Sequence, residues 1–266
     1  MTALEELLEV MRRLRDPQTG CAWDREQTFS SIVPHTLEEA HEVADAIASG
    51  SMPAIRDELG DLLFQVVFLA RIAEEQGEFA FDDVARAIVD KLVRRHPHVF
   101  QHNQSLTSSE QTAAWESMKA AERRADGADG VLAGVARSLP ALTRAAKLGK
   151  RAARVGFDWP EVDGVRAKVD EELAEFEATL RDGESAARRE EEFGDMLFAL
   201  ANWGRHLGID PEAALRAANG KFESRFAAME RFAAARGIAL GSLDLEAWER
   251  LWQEAKNSSP KSPPTG

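Results

Sequence analysis

The amino-acid sequence predicts an all-α protein made of two tandem, duplicated four-helix-bundle-like domains. Strand signals are poor, helix punctuation recurs along the chain, and the second half repeats the first. Tyr is absent from the 266 residues, alternating β-branched runs are missing, and Ala, Glu, Leu and Arg dominate. LEEAHEV at 37–43 returns as DEELAEF at 170–176, DELGDLLF at 57–64 as EEFGDMLF at 191–198, and AWESMK at 114–119 as AWERLW at 247–252, at offsets of 133 or 134. DKLVRR at 90–95 has a looser counterpart in GKFESR at 220–225. A period of half the chain indicates a duplicated domain, because solenoid repeats are far shorter.

Helices are expected over 2–15, 36–49, 53–76, 81–95 and 108–124, then over 135–153, 162–182, 186–207, 211–236 and 244–256. Pro53, Pro160 and Pro211 stand at expected starts, where the missing N–H costs nothing. Gly50, Gly77, Gly183 and Gly208 stand at expected ends. ADGADGVLAG at 125–134, with three glycines, links a domain over 1–124 to one over 135–256. NSSPKSPPTG at 257–266 has the composition of a disordered tail.

The chain is 44% hydrophobic and 30% charged, a globular balance, with a net charge of −13. That field repels nucleic-acid backbones and anionic lipid, so neither nucleic acid nor membrane is an expected partner. A polyanion bound to such a chain requires a compensating cation. The most apolar run, residues 62–70, is too short to span a bilayer and contains Gln65. The lone cysteine, Cys21, cannot close an internal disulfide, and the charged start MTALEELLEVMRRLRD is unlike a secretion signal, so the cytoplasm is expected.

Residues three or four apart share a helix face, which pairs Glu39 with Glu42, Glu58 with Asp61, Glu172 with Glu175 and Glu192 with Asp195. Each copy thus offers ExxE on one helix and ExxD on the next. At about 100° per residue, Leu59, Leu62, Leu63, Phe64, Val66, Val67, Phe68 and Leu69 surround most of the helix after Glu58. Phe193, Met196, Leu197, Phe198, Leu200 and Trp203 do the same around Glu192 and Asp195. Both acidic pairs are therefore expected in a bundle interior, where unpaired charge is costly and cations must separate the carboxylates. Such hard oxygen ligands suit Mg2+, with Mn2+ a substitute. Glu38 and His41 form the ExxH of a carboxylate-bridged di-iron site, but the second copy has Glu171 and Ala174, so no paired ExxH site assembles. His96, His98 and His102 lie around Pro97 with no cysteine near, which reads as a structured loop rather than a zinc site. Phosphate-loop, dinucleotide and nucleophile-elbow motifs are absent.

CAWDREQTFSSIVP at 21–34, LEEAHEV, DELGDLLF and HPHVF at 96–100, followed by a second ExxE and ExxD, resemble the MazG family of tandem all-α nucleoside triphosphate pyrophosphohydrolases. The likeness covers about residues 3–256 and departs at Ala22, where the family usually has Pro. It implies magnesium-dependent cleavage between the α- and β-phosphates of a nucleoside or deoxynucleoside triphosphate, and a homodimer whose bundles assemble from both chains.

On that resemblance Glu172, Glu175, Glu192 and Asp195 would hold the metal, with Glu39, Glu42, Glu58 and Asp61 as a second, weaker set. Glu171 would accept the proton of the attacking water, and Lys168, Lys221 and Arg225 would neutralise phosphates. The copies differ at two aligned places: Asn202 against Phe68, and Trp252 against Lys119. A polar edge reader and a stacking surface make a base pocket, so the C-terminal copy is expected to carry the activity. A metal-bound regulatory scaffold with vestigial catalysis and a carboxylate-bridged oxidase are the alternatives. No residue reads as specific for one base.

Overall fold

In a computed structural model, residues 1–101, 107, 110, 111, 114, 115, 118, 122 and 130–258 are described. Most of the helix expected over 108–124, the linker over 125–129, Lys119, His102 and the tail beyond 258 lie outside them. Among the described residues all regular structure is helical. The chain divides into two compact units, residues 1–119 and 120–266.

In the first unit, α1 (Ala3–Leu14), α2 (Ala22–Glu26), α3 (Phe29–Ser49), α4 (Met52–Glu75), α5 (Phe81–Arg95) and the single turn α6 (Pro97–Phe100) follow one another. Helix α3 begins seven residues before its expected start. The Thr28 hydroxyl accepts from the Ser31 N–H, and Ser31 Oγ accepts from the Thr28 N–H, a reciprocal cap that starts the helix ahead of Pro34, which lies inside it. Gly50 ends α3 at φ +71°, and Ser51 caps α4 two residues after α3 stops, so α4 doubles back along α3. Helices α1 and α5 pack on α4. Met11, Ile32, Val67, Phe68 and Ile72 form the core, backed by Leu7, Leu8, Phe64, Leu69 and Phe81.

In the second unit, α7 (Ala141–Ala153), α8 (Val162–Arg181), α9 (Ala186–His206), α10 (Pro211–Ala235), a 3-10 turn over 240–242 and α11 (Leu245–Ser258) follow. Helix α7 starts six residues later than expected, because Pro140 biases the residue before it away from helical backbone. Gly183, at φ +65°, and the Ser185 cap turn α9 back along α8. Helix α7 packs on α9, and α10 pairs with α11 around Ala228, Met229, Ala233, Leu251 and Ala255.

The apolar cylinders around the acidic pairs are only half covered. Val67 and Phe68 are buried, but Leu59, Leu63 and Val66 on α4, and Phe193, Leu197 and Leu200 on α9, are exposed in the chain. Asp61 and Asp195 are exposed too. The bundle interior expected for both acidic pairs is thus formed on one side of each helix. No helix among the described residues is long and apolar enough to cross a membrane.

Candidate active site

Each helical hairpin brings ExxE opposite ExxD. In the second unit Glu172 and Glu192 are buried, at 7% and 4% exposure, and face Asp195, with one carboxylate oxygen from each lying within 4.8 Å of the others. In the first unit Glu39, Glu58 and Asp61 make the equivalent group, with Glu39 and Glu58 half-buried and Asp61 exposed. Glu175 and Glu42 stand just outside these triplets, near enough for Glu175 to repel Glu192 and for Glu42 to repel Glu39. No histidine joins either group among the described residues, so the donor set is all oxygen. Carboxylate oxygens this close fit one hard divalent ion bound at about 2.0–2.6 Å.

The two groups balance their charge differently. In the second unit Lys168 Nζ lies 2.7 Å from Glu172 Oε1 and donates to Glu171 Oε1 at 2.8 Å, while Arg188 pairs with Glu192 and with Glu191. Hydrogen bonds to Glu171 and Glu172 hold the Lys168 ammonium well above its ordinary pKa. Burial pushes the Glu192 carboxyl up, Arg188 opposes it, and Glu175, Asp195 and Glu172 add to it. At the aligned places the first unit has His35 and Ala54, neither of them a lysine or arginine. There burial, then Asp61 and Glu42, push Glu39 up, partly relieved by Gln65, whose Nε2 donates to Glu39 Oε1 at 3.4 Å. Burial, then Glu42, Asp61 and Asp57, push Glu58 up.

A cavity of about 330 Å³ between α7, α8 and α9 opens beside the second carboxylate group. Lys168, Glu172 and Asp195 line one part; Phe157, Trp159 and Phe198 supply aromatic wall, and Asn202, Arg205 and Asp158 supply polar groups. Of the residues expected to bind substrate, Lys168 and Asn202 line this cavity. Lys221, Arg225 and Trp252 do not: they belong to α10 and α11, where Trp252 packs against Phe222 at 5.6 Å and the Arg225 guanidinium lies 5.7 Å over its ring. Within one chain the structure does not bring Asn202 and Trp252 to the same cavity, and the aromatic wall near Asn202 comes from Phe157, Trp159 and Phe198. Glu171 is exposed and bonded to Lys168, outside the carboxylate triplet.

Sequence reasoning missed Asp158, Trp159, Arg205, Arg188 and Gly149. Arg205 had a signal, lying three residues beyond Asn202 on the same helix face, and Gly149 had one as a weak helix former inside a helix. Asp158 and Trp159 sit in a loop with no periodicity to read. In the first unit Phe68 stands where Asn202 stands, 1% exposed, with the Arg15 guanidinium 5.2 Å over its ring and Trp23 edge-on at 6.5 Å. A packed side chain thus takes the place of the Asn202 amide.

Residues 27–100 match the MazG nucleotide pyrophosphohydrolase domain. The chain is 51% identical over 260 residues, 96% of its length and 98% of the other's, to the nucleoside triphosphate pyrophosphohydrolase of Escherichia coli (strain K12). It is 40% identical over 252 residues, 95% of each chain, to the nucleoside triphosphate pyrophosphohydrolase/pyrophosphatase MazG of Thermotoga maritima. Over 253 residues it is 41% identical to the uncharacterized protein YabN of Bacillus subtilis (strain 168), covering 95% of this chain and 51% of that one. The helical hairpins with their paired carboxylates and the near full-length identity together establish that this chain belongs to the MazG nucleotide pyrophosphohydrolase family.

Proposed function

We propose that this chain is a nucleoside triphosphate pyrophosphohydrolase, acting on ribo- and deoxynucleotides in the nucleotide pool and releasing the monophosphate and pyrophosphate. One observation carries the reading. A single cavity joins a carboxylate group to an aromatic-walled polar end, and Asp195 and Asn202 mark the two on one helix, seven residues or about 10 Å apart. That is the reach from an α-phosphate to a base edge. The names of the Escherichia coli and Thermotoga maritima relatives support it.

Glu172, Glu175, Glu192 and Asp195 would hold the cation, and Glu39, Glu42, Glu58 and Asp61 would form the second, weaker site. When bound, Mg2+, or Mn2+ in its place, supplies charge neutralisation at the phosphates and an acidified water. The water oxygen adds to the α-phosphorus, its bond to the α–β bridging oxygen breaks, and pyrophosphate leaves with that oxygen. Glu171, outside the triplet, accepts the water's proton. Lys168, which pairs with Glu172 and Glu171 in the structure, would neutralise phosphate oxygens. Lys221, Arg225 and Trp252 lie off the cavity within one chain, and we place their contribution to substrate binding across the two-fold of a homodimer.

Product identification tests the reading. With magnesium and water labelled in oxygen-18, triphosphate should yield pyrophosphate and a monophosphate carrying the label. Release of orthophosphate and a diphosphate would overturn it.

A further inference from the structure

Asn202 is 6% exposed and its Oδ1 accepts from Arg205 Nε at 2.7 Å. A guanidinium has donors and no acceptor, so it admits only the oxygen side of the amide. Asn202 lines the cavity, and no protein acceptor is paired with its NH2 group among the described residues. Arg205 is itself fixed: its Nη2 donates to Asp158 Oδ1 at 2.6 Å, and the same oxygen receives the Trp159 backbone N–H at 3.0 Å and faces His206 Nε2 at 2.7 Å. Helix α7 is shaped to this arrangement. A Cβ on Gly149 would lie 2.7 Å from Asn202 Oδ1, so that the amide would have to shift, and 3.2 Å from Arg205 Nε, a tight contact that would displace it by a few tenths of an ångström. Gly149 sits inside the helix, where it is a poor helix former, so the close approach is what it provides.

We propose that Arg205, anchored on Asp158 and given room by Gly149, is a positioning residue that presents the Asn202 amide N–H to the base, so that the cavity selects a carbonyl over an amino group at the purine 6-position. The proposal rests on the reading of the cavity as a nucleotide site. Both groups at this end, the Asn202 amide and the Arg205 guanidinium, are donors, and Oδ1 of Asp158 is already taken by Arg205 Nη2 and the Trp159 N–H, with His206 Nε2 against it. A 6-oxo group accepts from such a wall; a 6-amino group sets donor against donor and leaves the Asn202 N–H unpaired.

The test compares inosine and adenosine 5′-monophosphates, which differ at the 6-position and N1, by titration calorimetry with magnesium, where no hydrolysis is needed. The wild-type protein should bind the inosine nucleotide about tenfold more tightly, the scale of one lost hydrogen bond at a buried partner. In Gly149→Ala and Arg205→Gln, with helicity and melting retained, the ratio should fall to about one. Asn202→Asp keeps the acceptor that Arg205 needs but offers the base an acceptor only, so the preference should reverse. With the corresponding triphosphates, Gly149→Ala should raise KM for the inosine substrate more than it lowers kcat. Equal binding of the two monophosphates by the wild-type protein, or an unaltered ratio in Gly149→Ala and Asn202→Asp, overturns the proposal. Hydrolysis without any 6-position preference would leave the catalytic reading standing and remove this one. A preference in binding without hydrolysis would do the opposite.

Discussion

Glu75 and Asp158 stabilise their surroundings through charge, and the sign of their shifts fixes a pH dependence. Burial raises Glu75, but hydrogen bonds from buried Arg15, at 2.7–3.1 Å, and then from Arg71 outweigh it and hold the carboxyl below its ordinary 4.5. Burial likewise raises Asp158, and Arg205 and His206 outweigh it to hold the carboxyl below 3.8. A depressed folded-state pKa means the unfolded chain takes up the proton first. This stability is therefore present above the ordinary values and is lost as pH falls through the depressed ones. Melting followed from pH 6 downward should fall in that acid window, and Glu75→Gln should flatten the fall while costing about 2 kcal/mol at neutral pH, since it leaves Arg15 buried without its anion. Glu39, Glu58 and Glu192 are shifted the other way, upward from 4.5. Their contribution is present below the ordinary value and is lost as pH rises through the raised ones, so metal-free protein should weaken over that rise. Magnesium should reverse the loss, by about 2.7 kcal/mol at a hundredfold excess over its dissociation constant. A melting curve that magnesium leaves unmoved at neutral pH would contradict the metal assignment.

At the scale of the element, the two hairpins place equivalent carboxylates on equivalent turns, yet their surroundings differ. The hairpin α8/α9 has Lys168, Arg188 and the open cavity at Asn202; α3/α4 has His35, Ala54 and the filled place of Phe68. Glu175→Ala or Asp195→Ala should therefore lower turnover by at least about 10²-fold, the loss expected when a charge partner at a reacting phosphate is removed. Glu42→Ala and Asp61→Ala should leave most turnover, with helicity and melting checked in all four. If the first-unit changes abolish turnover and the second-unit changes do not, the roles of the copies are reversed. The contrast explains what was legible in the sequence. The carboxylate groups were, because ExxE and ExxD need only helical periodicity to converge. The loop carrying Asp158 and Trp159 was not, because its side chains meet Arg205 through tertiary packing. Nor was the five-residue α2, which has no side-chain cap and is short for any periodic signal.

At the scale of the whole molecule, the half-covered helices bear on the proposed homodimer. Ile47, Leu59, Leu63 and Val66 are exposed in the first unit, and Leu180, Phe193, Leu197 and Leu200 are exposed in the second. These sets occupy the same places in the repeat, offset by 133 or 134, and the three on α4 and the three on α9 follow the i, i+4, i+7 spacing of one helix face. A chain with a net charge of −13 has polar residues enough to cover a solvated face, so keeping the same apolar face open in both copies points to a covering partner. We propose that a second copy would supply that cover by pairing each hairpin with its own equivalent, a self-complementary two-fold contact needing about 800 Å² from each chain. Sedimentation at micromolar concentration should give twice the 29.3 kDa of one chain. The double change Leu59→Glu, Leu63→Glu places two anions on that face, one helical turn apart and on a chain already acidic, so it should shift the protein toward monomer. If Lys221, Arg225 and Trp252 act across the two-fold, turnover should fall with the dimer fraction and recover at high protein concentration. A wild-type monomer at micromolar concentration would end this reading, and with it the placement of those three residues in a shared site.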